Sequence, residues 1–168
     1  MKKKILLIGG GGREHALAWK FMQSPLVEKL FIAPGNVGMK NLGELVPIPA
    51  TDIQALINFA KKEKIDFTFV GPDAPLAAGI VDEFAKAGLS IFGPTKRAAE
   101  LEWSKAYAKD FMARHHIPTA EFKVFSALEP AQEHIRKHGA TLVIKASGLA
   151  LGKGVFVCKT LDEAEQAL

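Results

Sequence analysis

Cysteine is almost absent. Cys158 is the only one among 168 residues, which excludes an internal disulfide and points to a reducing compartment, the cytoplasm. It lies in the apolar run Val155-Phe156-Val157-Cys158, where a thiol reads as a buried strand residue rather than a nucleophile. Long apolar runs are also lacking. After the basic start Met1-Lys2-Lys3-Lys4, the apolar stretch at residues 5–8 gives way at once to four glycines, too short a stretch for a signal-peptide core or a membrane span. Charge of one sign is not massed either. The 22 Lys and Arg exceed the 18 Asp and Glu by only +4, and beyond Lys2, Lys3 and Lys4 the basic residues are dispersed, which argues against a nucleic-acid surface. No Cys/His cluster has metal-ligand spacing, and the adjacent His115 and His116 point to different helix faces. A mild positive balance does suit small phosphorylated ligands.

What is present is a rhythm of short apolar runs and helix-period segments. The runs at residues 5–8, 30–33, 67–70 and 90–92 show no in/out alternation, the pattern of strands covered on both faces. Between them, one helix is expected to begin near Arg13. A second carries Ile53, Leu56, Ile57 and Ala60 on one stripe behind a capping box of Thr51 and Gln54, and a third runs over residues 75–87 to Gly88. The repeat predicts a parallel, doubly wound, Rossmann-like sheet over residues 1–100. A helical linker follows over residues 101–118, with Ala108, Phe111, Met112 and His115 on one face and a stop at Ile117-Pro118. From residue 119 a second architecture begins. It should hold a strand at 122–125, a helix at 128–137, and an antiparallel pair at 142–145 and 155–158 around a glycine-rich turn. Thr160 and Glu163 form another capping box, and Leu161, Ala164 and Leu168 leave an apolar stripe running at the last residue, as in an interrupted domain. His15, Trp19 and Phe21 read as packing residues.

The first candidate site is Gly9-Gly10-Gly11-Gly12-Arg13-Glu14-His15, between the first strand and the first helix. Glycines there let the backbone approach a ligand, and a helix N-terminus offers free N–H groups to an anion. It is not a dinucleotide fingerprint: Glu14 occupies the third glycine position, and the second strand ends in Ala33-Pro34-Gly35-Asn36 with no acidic residue. Phosphate binding is the expectation for this loop. The loops Gly35-Asn36 and Gly71-Pro72-Asp73 also follow strands, so in an open parallel sheet they face the same crevice. Asn36 and Asp73 are then candidates for ribose hydroxyls or an amine. The second candidate is the run from Lys145 through Ser147, Gly148, Leu149, Gly152, Lys153 and Gly154. It departs from a P-loop, because only three residues separate Gly148 from Gly152 and a strand follows instead of a helix. A glycine-rich hairpin of this kind is a flap able to close its amides over phosphates, with Lys145 at its base.

Taken in order, Gly-Gly-Arg-Glu-His-Ala at 11–16, Ala-Pro-Gly-Asn at 33–36, Gly-Pro-Asp-Ala-Pro-Leu at 71–76 and Ile-Phe-Gly-Pro-Thr at 91–95 form a series. Ser-Lys at 104–105, Lys-Asp-Phe-Met-Ala-Arg-His at 109–115 and the flap at 145–155 complete it. The series resembles the glycinamide ribonucleotide synthetases of the ATP-grasp superfamily over all 168 residues. The resemblance implies an ATP- and Mg²⁺-dependent ligase acting on the small molecules glycine and phosphoribosylamine through a glycyl phosphate. It also implies a substrate site near Gly11, Gly12 and Arg13, ATP-phosphate lysines at Lys105 and Lys145, and a nucleotide flap from Gly148 to Gly154. Since these motifs cover well under half of the family's usual chain, the Mg²⁺ carboxylates, most adenine contacts and the glycine site are expected beyond residue 168, and the chain alone is expected to be inactive. Ser147 stands where the family has Asp, Leu151 where it has Ala, Trp103 where a small residue is common, and Asp73 where Glu is common. The other reading of the same residues is a non-catalytic, Rossmann-like module that binds a phosphorylated ligand.

Overall fold

A computed structural model describes residues 2–149 and 153–168, and the chain divides between Glu100 and Leu101 into two units. Among the described residues no helix is long and apolar enough to cross a membrane.

The first unit runs β1 (Lys3–Gly9), α1 (Gly12–Met22), β2 (Val27–Pro34), a 3-10 turn (Val37–Met39), β3 (Glu44–Leu45), α2 (Ile53–Glu63), β4 (Phe67–Val70), α3 (Asp73–Ala78), α4 (Ile80–Lys86) and β5 (Ile91–Phe92). The five strands form one sheet in the order β3-β2-β1-β4-β5, and every pairing is parallel. Alternate residues of the apolar runs go to opposite faces. Leu6, Ile8, Phe31 and Ala33 pack with Leu56 and Ala60 of α2 and Ile80 and Phe84 of α4. Ile5, Leu7, Leu30 and Ile32 pack with Ala18 of α1 and Met39. Both faces are covered, so the strands read as continuous apolar runs. Each buried Leu, Ile or Phe contributes roughly 1.5–3 kcal/mol relative to exposure. The strand order reverses beside β1 and β4, which opens the crevice at their carboxyl ends.

Several local expectations are corrected. Asp52, not Thr51, caps α2: its side chain accepts the Ala55 N–H at 3.1 Å, while Gln54 donates to Asn58 instead of reaching back to the cap. Two residues able to cap stand side by side, and the one adjacent to the first helical residue takes the role. The expected helix over 75–87 is two helices, broken at Gly79, where φ is +94°. β3 was not anticipated, since one of its two residues is the charged Glu44 and no apolar run marks it. Phe21 packs against the sheet, edge-on to Phe69 at 5.9 Å, whereas Trp19 is 59% exposed and belongs to no core.

The helix α5 (Lys96–Trp103) leads across the division, and α6 (Lys105–Arg114), α7 (Leu128–His138), β6 (Leu142–Lys145), β7 (Val155–Cys158) and α8 (Leu161–Gln166) follow. β6 and β7 are antiparallel, with Leu142 opposite Cys158 and Lys145 opposite Val155. Ile135, Cys158 and Ala164 bury together against Leu142 and Ile144, so Cys158 is the buried strand residue its run suggests. Thr160 and Glu163 do form the capping box of α8. The expected strand at 122–125 is absent. The two-stranded sheet offers that segment no ladder, and Val124 and Phe125 stay exposed. Instead Lys109 ties the preceding loop to α6, donating to Thr119 Oγ1 at 2.6 Å and to the Ala120 carbonyl at 3.1 Å.

Candidate functional site

The loop after β1 is built by short-range contacts that leave one side of it open. Gly9 has φ +124°, a conformation that favours glycine. A Cβ on Gly10 would lie 2.5 Å from the Gly35 carbonyl oxygen; the Gly35 N–H in turn donates to the Gly9 carbonyl at 3.1 Å. Asn36 donates its side-chain amide to the Gly10 carbonyl at 2.9 Å and accepts the Gly38 N–H at 2.8 Å. Asn36, expected at ribose hydroxyls or an amine, thus uses both ends of its side chain to hold this loop and its own turn. His15 sits against Gly38, where a Cβ would meet its ring at 3.2 Å, in keeping with a packing role.

The open side is the start of α1. Its N-cap is Gly11, which has no side chain to accept the first-turn N–H groups, in contrast to Asp52 on α2 or Ser104 on α6, which do so. A Cβ at Gly12 would meet nothing within 4 Å, so there the protein's own packing does not require glycine. Arg13 projects beside it, its side chain 71% exposed, with Nη1 4.0 Å from Oδ1 of Asp73. That exposed pair is worth little by itself, and both groups stay accessible to a ligand. Gly71 joins the cluster through its N–H, which donates to the Ile8 carbonyl at 3.0 Å, and Pro72 precedes α3 without a side-chain cap. Residues 9–13, 35–36 and 71–73 therefore meet at the carboxyl ends of β1, β2 and β4. Glu14 is different. It is only 3% exposed, and Oε2 accepts the Gly11 N–H at 2.7 Å, so its carboxylate lies beneath the loop and not on the crevice surface.

In the second unit the flap has its own geometry. The Ala146 N–H donates to the Gly154 carbonyl at 2.8 Å and closes the hairpin base. Gly148 and Gly154 both have positive φ, +97° and +77°. Lys145 shares the outer face of β6 with Val143, and the inner face carries Leu142 and Ile144. The first arm of the flap is fastened to the start of α6: Ser147 Oγ accepts the Ala106 N–H at 3.2 Å, and Lys105 Nζ donates to the Gly148 carbonyl at 3.5 Å. Sequence reasoning did not anticipate this fastening, although Ser147 at a helix start is a residue type that accepts such N–H groups. Leu149 is half exposed, Lys153 is exposed, and Gly152 lies outside the described residues. Among the described residues no group of three His, Cys, Asp or Glu side chains could hold a metal ion.

Comparison with known proteins covers both units. The family model for the phosphoribosylglycinamide synthetase N domain matches residues 3–102, and that for the ATP-grasp (A) domain of the same synthetase matches residues 103–168. The phosphoribosylamine–glycine ligase of Pasteurella multocida is 60% identical over 166 residues, spanning 98% of this chain and 39% of that protein. That of Escherichia coli K12 is 60% identical over 167 residues with the same coverage. The chain thus spans 39% of the length of these curated relatives. Among solved structures, the phosphoribosylamine–glycine ligase of Thermotoga maritima superposes with a TM-score of 0.74 at 33% identity, over 97% of this chain and 38% of that one. The biotin carboxylase domain of Hydrogenobacter thermophilus 2-oxoglutarate carboxylase, a complex with MgADP, gives 0.75 at 18% identity over 99% and 39%, a likeness of fold alone. With a Rossmann-like N-terminal domain followed by the start of an ATP-grasp domain, the chain belongs to the phosphoribosylglycinamide synthetase family.

Proposed function

We propose that this chain supplies the N-terminal part of a ligase that uses ATP to join glycine to 5-phosphoribosylamine, giving glycinamide ribonucleotide for purine synthesis. The observation that carries the reading is the uncapped start of α1. Gly11 provides no side-chain acceptor, Gly12 leaves open space, and Arg13 stands exposed beside them at the point where the strand order reverses. Free first-turn amides and the positive end of the helix dipole suit a dianionic phosphate. The relatives' names, phosphoribosylamine–glycine ligase, give that phosphate its ribosylamine. In this reading the Gly12 and Arg13 amides and the Arg13 side chain bind the 5-phosphate, the bare Gly11 beside them leaving it room, and Gly71, Pro72 and Asp73 face the ribose and its amine. Gly35 and Asn36 form the wall between them. A reducing, cytoplasmic setting is in keeping with the unpaired Cys158.

The γ-phosphoryl group of ATP passes to the glycine carboxylate with ADP as the leaving group, and the ribosylamine nitrogen then attacks the acyl carbon of glycyl phosphate, loses a proton and displaces phosphate. For that step this chain offers Lys105, Lys145 and Lys153 as cations and the amides of Ser147, Gly148, Leu149, Gly152 and Gly154 as donors to phosphate oxygens. With ATP bound, Lys105 would exchange the Gly148 carbonyl for a phosphate oxygen, since an ammonium is held more strongly by an anionic acceptor than by a neutral one. Mg²⁺ belongs to the proposal, but with no metal-binding group among the described residues no residue of this chain is assigned to it. By itself the chain is expected to hold the phosphorylated ligand without ligating. The test is made in the full-length protein, with Lys105→Ala and Lys145→Ala. Each removes a charge-assisted phosphate contact worth about 2 to 5 kcal/mol if desolvated, so ATP-dependent formation of glycinamide ribonucleotide falls steeply while the fold survives. Near-normal ATP kinetics in both variants would refute the nucleotide assignment.

A further inference from the structure

Glu14 is the one carboxylate of the first unit that is buried, and its two oxygens are treated differently. Oε2 accepts the Gly11 N–H at 2.7 Å, while Oε1 is fully buried with no hydrogen-bond partner among the described residues. A buried acceptor left unpaired costs free energy, so its position calls for a cause. The cause lies in what surrounds it. A Cβ added at Gly9 would meet Glu14 Cγ at 2.6 Å, one at Gly71 would meet the same atom at 2.5 Å, and one at Gly11 would meet Oε2 at 3.0 Å. Glycines from the ends of two different strands, β1 and β4, thus close over one side chain. At Gly71 this is the whole reason for glycine, since its φ is not in the left-handed region and the nearest atoms all belong to Glu14. On the exposed side the same two loops face each other through Arg13 and Asp73 at 4.0 Å.

We propose that Glu14 is a positioning residue that sets the spacing between the loop at Gly11, Gly12 and Arg13 and the loop at Gly71 and Asp73, touching no ligand itself. The inference rests on the reading of these loops as the phosphate and ribose sides of one substrate site. Glu14 acts through shape and one hydrogen bond. Its carboxylate turns the Gly11 N–H inward, leaving the next amides of α1 to the ligand, and its stem fills the gap under Gly71 so that Asp73 stays level with Arg13. Gln at this position keeps both the volume and the acceptor. Ala removes both, and a side chain at Gly71 pushes the loops apart from the other direction.

The experiment measures binding of glycinamide ribonucleotide to the 168-residue chain by NMR, in wild type, Glu14→Ala, Glu14→Gln, Gly71→Ala and the Glu14→Ala/Gly71→Ala double variant. Slow exchange of the Ile5, Leu6, Leu7 and Ile8 amides confirms in each that the sheet is intact. Misplacing a binding loop weakens affinity by about tenfold or more, which is expected for Glu14→Ala and for Gly71→Ala, while Glu14→Gln stays within about threefold of wild type. In the double variant the Gly71 methyl occupies the space Glu14 has left, so its loss is no greater than that of Glu14→Ala alone, a non-additive pair. If Glu14→Ala fails to fold, Gly71→Ala and Glu14→Gln decide by the same criteria. Wild-type affinity in a folded Glu14→Ala or in Gly71→Ala, or strictly additive losses, overturns the positioning role and leaves the substrate site standing. An absence of binding by wild type removes the site itself, and the inference with it.

Discussion

The two units use strands of similar composition to opposite effect. In the first, the central strands lie between two apolar layers, and Leu6, Leu7, Ile8 and Ile32 are fully buried. In the second, the hairpin rests one face on Ile135 and Ala164. Its other face carries Val143, Val155 and Val157 to the surface, the last at 71% exposure. An apolar run in a sequence therefore marks a strand more reliably than it marks a core. The difference also separates two kinds of candidate site. The crevice of the first unit is framed by the ends of paired strands, whereas the flap of the second extends from a hairpin fastened at Ala146, Ser147 and Gly148.

Substitutions can break this comparison or sharpen it. Phe84 is fully buried between α4 and the sheet, and Phe84→Ala should cost about 3 to 5 kcal/mol through lost burial and the cavity left behind. Val157→Ala removes mostly exposed apolar surface and should stay within about 0.5 kcal/mol. Denaturant unfolding followed by signals from each unit reads both; similar costs at the two sites would contradict the contrast. A smaller effect concerns the cap of α2. Asp52→Ala should cost about 1 kcal/mol, while Thr51→Ala is nearly neutral, and the reverse order would restore the reading that Thr51 is the cap. Smallest is the surface pair at the foot of β1. The Lys4 backbone N–H, and after it the Lys3 ammonium, hold the Asp66 carboxyl below its ordinary value. A lowered folded-state value means the stabilisation is present above the unfolded-state value and is lost as pH falls through the folded one. An NMR titration should place Asp66 below the ordinary aspartate range, and Lys3→Ala should restore only part of the shift, since the larger cause is the backbone donor.

How much of this was legible in the sequence depended on how local the cause was. The runs that became β1, β2 and β4, the glycine hairpin, and the Thr160/Glu163 cap were readable because neighbouring residues determine them. The break at Gly79 was less so, because a glycine inside an apolar-period segment can be tolerated in a helix or can end it. Residues 122–125 have a strand's composition but no ladder beside them, and ladder partners are not a local property. At the candidate site, that the glycine loop, Arg13 and Asp73 share one crevice was readable from their places after strands. That Gly71 is glycine on account of Glu14 could not be read, because the two lie far apart in the chain. Nor could the fastening of Ser147 to Ala106, which joins the flap to a helix 41 residues earlier.

The proposed place of the substrate phosphate is the uncapped start of α1. It is tested most directly by adding glycinamide ribonucleotide, the stable product, to the isotopically labelled chain with and without Arg13→Ala. Amide shifts are expected to cluster at residues 9–15, 34–36 and 71–73, because the ligand engages the free first-turn amides, and Arg13→Ala should abolish them. Shifts confined to residues 145–155, or unchanged by the Arg13 substitution, would contradict this placement.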